Sequence, residues 1–79
     1  MTTKAQASEF VRLERERTIP IERYQEDGCD SREEYLRGIA DQYGLQLDTV
    51  ITLATLLGGE EDFDGLIGMA EDAEAMGDL

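Results

Sequence analysis

Carboxylates alternate through Gly59-Glu60-Glu61-Asp62-Phe63-Asp64-Gly65, and Glu71 follows on the same segment. Hard cations such as calcium take about six to eight oxygen ligands. Carboxylates this closely spaced raise the question of whether they gather around such an ion. The same residues also have a structural reading. Asp62 or Asp64 caps a helix, and the acids around it favour the positive end of its dipole. Phe63 then packs down onto Ile67.

With Gly65 as the turn glycine, the stretch resembles an EF-hand loop. The resemblance implies Glu60, Asp62 and Asp64 as the first ligands, Leu66 as the carbonyl ligand and Glu71 as the closing carboxylate. Ile67 would be the apolar residue of the short pairing strand. Three features depart from that pattern. Glu60 stands where an aspartate is usual, the chain holds no second loop, and Gly77 falls close behind Glu71. The helix start explains the residues with fewer assumptions, so neither metal nor cofactor is expected.

Other reactive chemistry is sparse. The chain has no histidine, which removes the common general base near neutral pH and the usual zinc ligand. Cys29 lies just before a helix start, whose dipole favours a thiolate, but Asp27 and Asp30 oppose it. Gly58-Gly59 follows a helix rather than a strand, so it is not a phosphate loop. No catalytic residue is assigned, and the chain is read as a non-enzyme.

Charge is the most uneven property. Net charge is −12, and all seven basic residues lie in the first 37 positions, among nine acids. From Gly38 onward there are ten acids and no base. A surface of one sign repels nucleic acid and attracts basic partners. The expected function is therefore a small acidic binding or regulatory protein that docks on a basic protein partner. Glu60, Glu61, Asp62, Phe63, Asp64, Glu71, Asp72 and Glu74 are the candidate partner-binding residues. Leu66 and Met76 are further apolar anchors. Three alternatives stand beside this reading. Spaced carboxylates could mimic phosphates and inhibit a nucleic-acid-binding protein; small nuclease inhibitors of phages and mobile elements are similar in type. The chain could instead be a self-associating helical module forming a homodimer. It could also be a degenerate DNA reader.

The elements that must carry these residues are helical. An apolar content of 41% suits a globular chain, and no alternating strand pattern occurs. Seventy-nine residues make one small domain, whose core supplies only about 3–5 kcal/mol of net stability. One cysteine fits a reducing compartment, MTTKAQASEF holds no secretory apolar run, and no stretch reaches the length of a membrane span. A cytoplasmic protein is expected. Thr3 and Gln6 have capping-box spacing and open a helix over about 4–17, with Ala7, Phe10, Val11 and Leu13 on its apolar stripe. Pro20 fits the first position of a short helical turn that ends at Gly28. Asp30 with Glu33, and Ser31 with Glu34, form a doubled capping signal for a helix from about Arg32 to Tyr43. Gly44 ends it, and Asp48 is the expected N-cap of the next helix. That helix, 49–57, is apolar nearly all round and is expected to be the buried centre. A last helix over about 62–76 should turn Leu66, Ile67, Met69, Ala70, Ala73 and Met76 inward. The fold class is all-α, a bundle of about four helices and a short fifth turn.

Its middle, residues 32–57, resembles a tri-helical helix-turn-helix core. Ala40 takes the crossing position, Gly44 the turn, Leu45 and Val50 the apolar anchors, and Leu53 continues the face. The resemblance implies a scaffold more than a DNA reader. The exposed positions of its second helix, Gln46, Asp48, Thr49, Thr52 and Thr55, include no base to neutralise phosphate.

Overall fold

The computed structural model describes residues 4–76, with side chains described from Phe10 onward. Thr3, the side chain of Ala7 and Gly77 therefore lie outside the described residues. The chain is all-α. Its helices are α1 (Lys4–Arg15), α2 (Ile21–Glu26), α3 (Arg32–Tyr43), α4 (Leu47–Leu57) and α5 (Gly65–Ala75), with one 3-10 turn at Gly59–Glu61. No strand occurs among the described residues.

Helix α3 has the strongest local signals at both ends. Of the two overlapping capping pairs, Ser31 and Glu34 form: the Ser31 hydroxyl accepts from the Glu34 amide at 3.2 Å. The Glu34 carboxylate reaches back to the Asp30 amide at 2.6 Å. At the other end Gly44 takes φ 65°, and the Leu45 amide returns to the Ala40 carbonyl at 2.8 Å. That closure satisfies orphan carbonyls of the last turn and reverses the chain into α4.

Elsewhere the boundaries move. α1 stops at Arg15, two residues before the expected end. Pro20 is the N-cap of α2 rather than its first residue. Gln46, whose side chain makes no cap bond, is the N-cap of α4, so Asp48 lies in the first turn. There an acid favours the helix dipole without capping it. Asp64 precedes α5 without a side-chain cap; the Gly65 amide donates to Glu61 instead, at 3.2 Å.

The buried core draws Phe10 and Leu13 from α1, Tyr24 from α2, and Tyr35, Leu36, Ile39 and Ala40 from α3. Leu45, Val50, Ile51 and Ala54 come from the turn and α4, and Leu66 and Ala70 from α5. The central helix is α3, which packs against each of the other four. Apolar composition had pointed to α4, but Leu56 there is 77% exposed. A helix at the edge of a bundle has one face without a neighbour, whatever its composition. The same holds for Val11 (59% exposed), Met69 (42%) and Met76 (63%), all expected to face inward.

Candidate functional site

The most specific chemistry in the molecule is buried. After Gly58, at φ 91°, the chain enters the 3-10 turn and runs under the α1–α2 connection. Gly59 makes that approach possible: a Cβ there would stand 3.0 Å from the Glu16 carbonyl oxygen. The turn delivers Asp62 to the interior, where it is fully buried opposite Arg32, the first residue of α3.

Arg32 grips Asp62 with two parallel bonds, Nε to Oδ2 at 2.7 Å and Nη2 to Oδ1 at 2.9 Å. Its remaining nitrogen, Nη1, donates to the Leu13 carbonyl at 2.8 Å. The Tyr24 hydroxyl donates to Asp62 Oδ2 at 2.6 Å, and the Tyr35 hydroxyl to the Asp62 carbonyl at 2.7 Å. The Arg32–Asp62 pair thus joins α1, α2, α3 and the α4–α5 connection. Phe63 closes the aromatic side. Its ring centroid lies 4.5 Å from Tyr35 and 5.0 Å from Tyr24, with the Arg23 guanidinium 4.1 Å away. Edge-on and tilted rings of this kind add packing energy beyond their buried area.

This constellation looks reactive in composition and is closed in geometry. Each carboxylate oxygen of Asp62 is already accepting. Burial, then the hydrogen bond to Asp62 and its charge, push the Tyr24 hydroxyl well above its ordinary range. Burial and the Asp62 charge do the same at Tyr35. Both tyrosines are held as neutral donors. Cys29 is pushed up first by burial, with the charges of Glu34, Asp27 and Asp30 adding to it, so the thiol form is favoured. A groove beside it is lined by Asp27, Tyr35, Gly38, Ile39 and Gln42, with no group to activate the thiol.

The carboxylates read from the sequence do not gather. Asp62 is turned inward and consumed by Arg32, which corrects both its place in a calcium loop and its place on a docking surface. Leu66 is fully buried in α5, so it is neither a loop ligand nor a surface anchor. Gly65 opens α5 and is not among the positive-φ glycines, so the sharp loop turn is absent at that position. No group of three or more metal-binding side chains forms among the described residues. Glu60 and Asp64 stand exposed on the connection, Glu61 and Phe63 are half-buried, and Glu71, Asp72 and Glu74 stand exposed on α5.

The positions carrying the helix-turn-helix resemblance are mostly interior: Ala40, Leu45 and Val50 are buried and Leu53 is half-buried. On the outer side of α4, Gln46, Asp48, Thr52 and Thr55 are exposed and Thr49 is half-buried. One base does reach this helix: Arg12 Nη2 donates to Thr55 at 3.1 Å while Nη1 pairs with Glu16 at 2.8 Å.

Sequence reasoning missed the Arg32–Asp62 pair. Its one local trace was a base at the first position of a helix, where the dipole disfavours positive charge. No family model, curated protein or solved structure matches this chain. No helix among the described residues is long and apolar enough to cross a membrane.

Proposed function

We propose that the chain is a small, non-catalytic binding or regulatory protein of the cytoplasm that docks its acidic carboxyl-terminal surface on a basic protein partner. The observation that carries this reading is the placement of charge. After Arg37 there is no base, and the described acids beyond it, Asp62 apart, are exposed or half-buried rather than folded into ion pairs of the core. Such a surface accelerates association with a basic partner and holds it in orientation. The reactive-looking residues are absorbed by the Arg32–Asp62 centre, which supports a structural role for them.

A tagged chain tests this against a variant carrying E60Q, D64N, E71Q, D72N and E74Q. After nuclease treatment, the intact chain should retain a basic protein that salt releases, and the variant should not. Equal retention by both would remove the reading.

A further inference from the structure

Helix α4 differs from its neighbours in charge. Its one charged residue is Asp48, whereas each of the other four helices exposes charged side chains. Val50, Ile51 and Ala54 form its core side. At about 100° per residue, Thr49, Thr52, Leu53 and Leu56 fall on the opposite side, at i, i+3, i+4 and i+7, in a stripe about 100° wide. Thr52 and Leu56 are exposed, and Thr49 and Leu53 are half-buried. Leu56 is the most exposed large apolar side chain among the described residues. Asp48 and Thr55 lie together on one flank of this stripe, two turns apart. Arg12 of α1 reaches that flank, with Nη2 3.1 Å from the Thr55 hydroxyl. The flank therefore carries an acid at its amino end and a base at its carboxyl end.

We propose that this face of α4 pairs with the same face of a second copy, the two helices running antiparallel about a twofold axis. The charge pattern selects that occupant. Antiparallel pairing inverts the flank, so Asp48 of each copy meets the Thr55 position of the other, where Arg12 stands. Two Arg12–Asp48 contacts form by symmetry, and Leu56 packs beside Thr49 and Thr52 of the second copy. Arg12 and Asp48 keep the bonds that they already make, since a guanidinium has five N–H donors and a carboxylate about four acceptor sites. A basic partner would find only one carboxylate on this face. Two helices of 11 residues each bury less than the about 1,200 Å² of a standard interface, so the dimer is weak and reversible. The contact goes beyond the docking reading above and uses none of Glu60, Asp64, Glu71, Asp72 or Glu74.

Sedimentation equilibrium of the whole chain tests this, with a monomer–dimer equilibrium expected at a dissociation constant on the order of 100 µM. Added salt should strengthen it, because two copies of net charge −12 repel each other, whereas docking on a basic partner weakens with salt. Leu56→Asp should weaken association at least about tenfold. Because Leu56 is exposed, that variant should keep its circular dichroism and unfolding midpoint. Arg12→Glu should also weaken the dimer, and Arg12→Glu combined with Asp48→Arg should restore it, since the exchanged charges meet across the axis. A strict monomer at about 1 mM would overturn the proposal. So would a dimer that Leu56→Asp leaves unchanged, which would place the contact on another face. A dimer that the double exchange fails to restore would overturn the antiparallel arrangement. The pull-down described above reads different residues, so either reading can fail without the other.

Discussion

Asp62 and Asp64 are two residues apart and chemically identical, yet they belong to different regions of the molecule. Asp62 is fully buried and holds four segments together through Arg32, Tyr24 and Tyr35. Asp64 is exposed, and its side chain caps nothing. The first region has every charge matched inside the chain, and the second, with Glu60 and the acids of α5, leaves its charge to solvent or to another molecule. The role of a carboxylate is therefore set by whether a donor reaches it. A buried, bidentate pair ties segments of the fold together, and exposed carboxylates of one sign stay available to solvent or to a partner.

The sharpest way to break this contrast is Asp62→Ala. Removing one member of a buried ion pair leaves the other charge uncompensated, at about 3–5 kcal/mol. A core of this size holds about that much in total. D62A should therefore lack a cooperative unfolding transition at room temperature, and a midpoint equal to that of the unmodified chain would show the pair to be dispensable. R32M/D62L should recover part of the loss, because two apolar side chains leave no stranded charge.

Tyr24→Phe probes the same centre more gently. It deletes one hydrogen bond to a charged acceptor, with an expected loss of about 1.5–3 kcal/mol in denaturant titration. The tyrosines also set a pH limit. Their folded hydroxyls titrate above the ordinary value of 10.0. The folded state therefore holds protons that the unfolded chain releases, and the stabilisation is complete below pH 10. It should be lost as pH rises beyond that value toward the folded pKa. Tyrosinate absorbance from Tyr24 and Tyr35 should appear together with unfolding, and free ionisation in the folded chain would contradict the closed geometry.

Changes in the exposed region should be small and of opposite sign. E71Q/D72N/E74Q removes acids from the negative end of α5, where each unfavourable charge is worth about 0.3–1 kcal/mol. The thermal midpoint should rise slightly; a fall would mean that these acids have partners inside the fold. Asp64→Asn should change stability by less than about 0.5 kcal/mol. That result beside the collapse of D62A would complete the contrast within one three-residue stretch.

Much of the fold was legible before the structure. The all-α class followed from apolar period and the lack of alternation. Ser31, Glu34 and Gly44 marked both ends of α3, because caps and left-handed glycines act within a turn of the residue that carries them. Local signals misled where two competed or where burial was at stake. Asp48 had the composition of an N-cap, but the turn from Gly44 starts α4 one residue before it. Leu56, Met69 and Met76 were placed inside on hydrophobicity alone, and the arrangement of helices left them without neighbours. The acids of the candidate surface were visible as a charge imbalance, but their division into buried Asp62 and exposed Glu60, Asp64, Glu71, Asp72 and Glu74 was not.

The sequence by itself determined the helices, most of their stops, and the asymmetry of charge, since each depends on residues within a few positions or on composition. Tertiary structure alone decided that α3 is the centre and that Asp62 is the hinge of the core. Arg32 and Asp62 lie 30 residues apart, and no local preference encodes their meeting. It arises because the Gly58–Gly59 turn passes under the α1–α2 connection, where a carboxylate deprived of water needs a paired charge and hydrogen-bond donors, which Arg32 and Tyr24 supply.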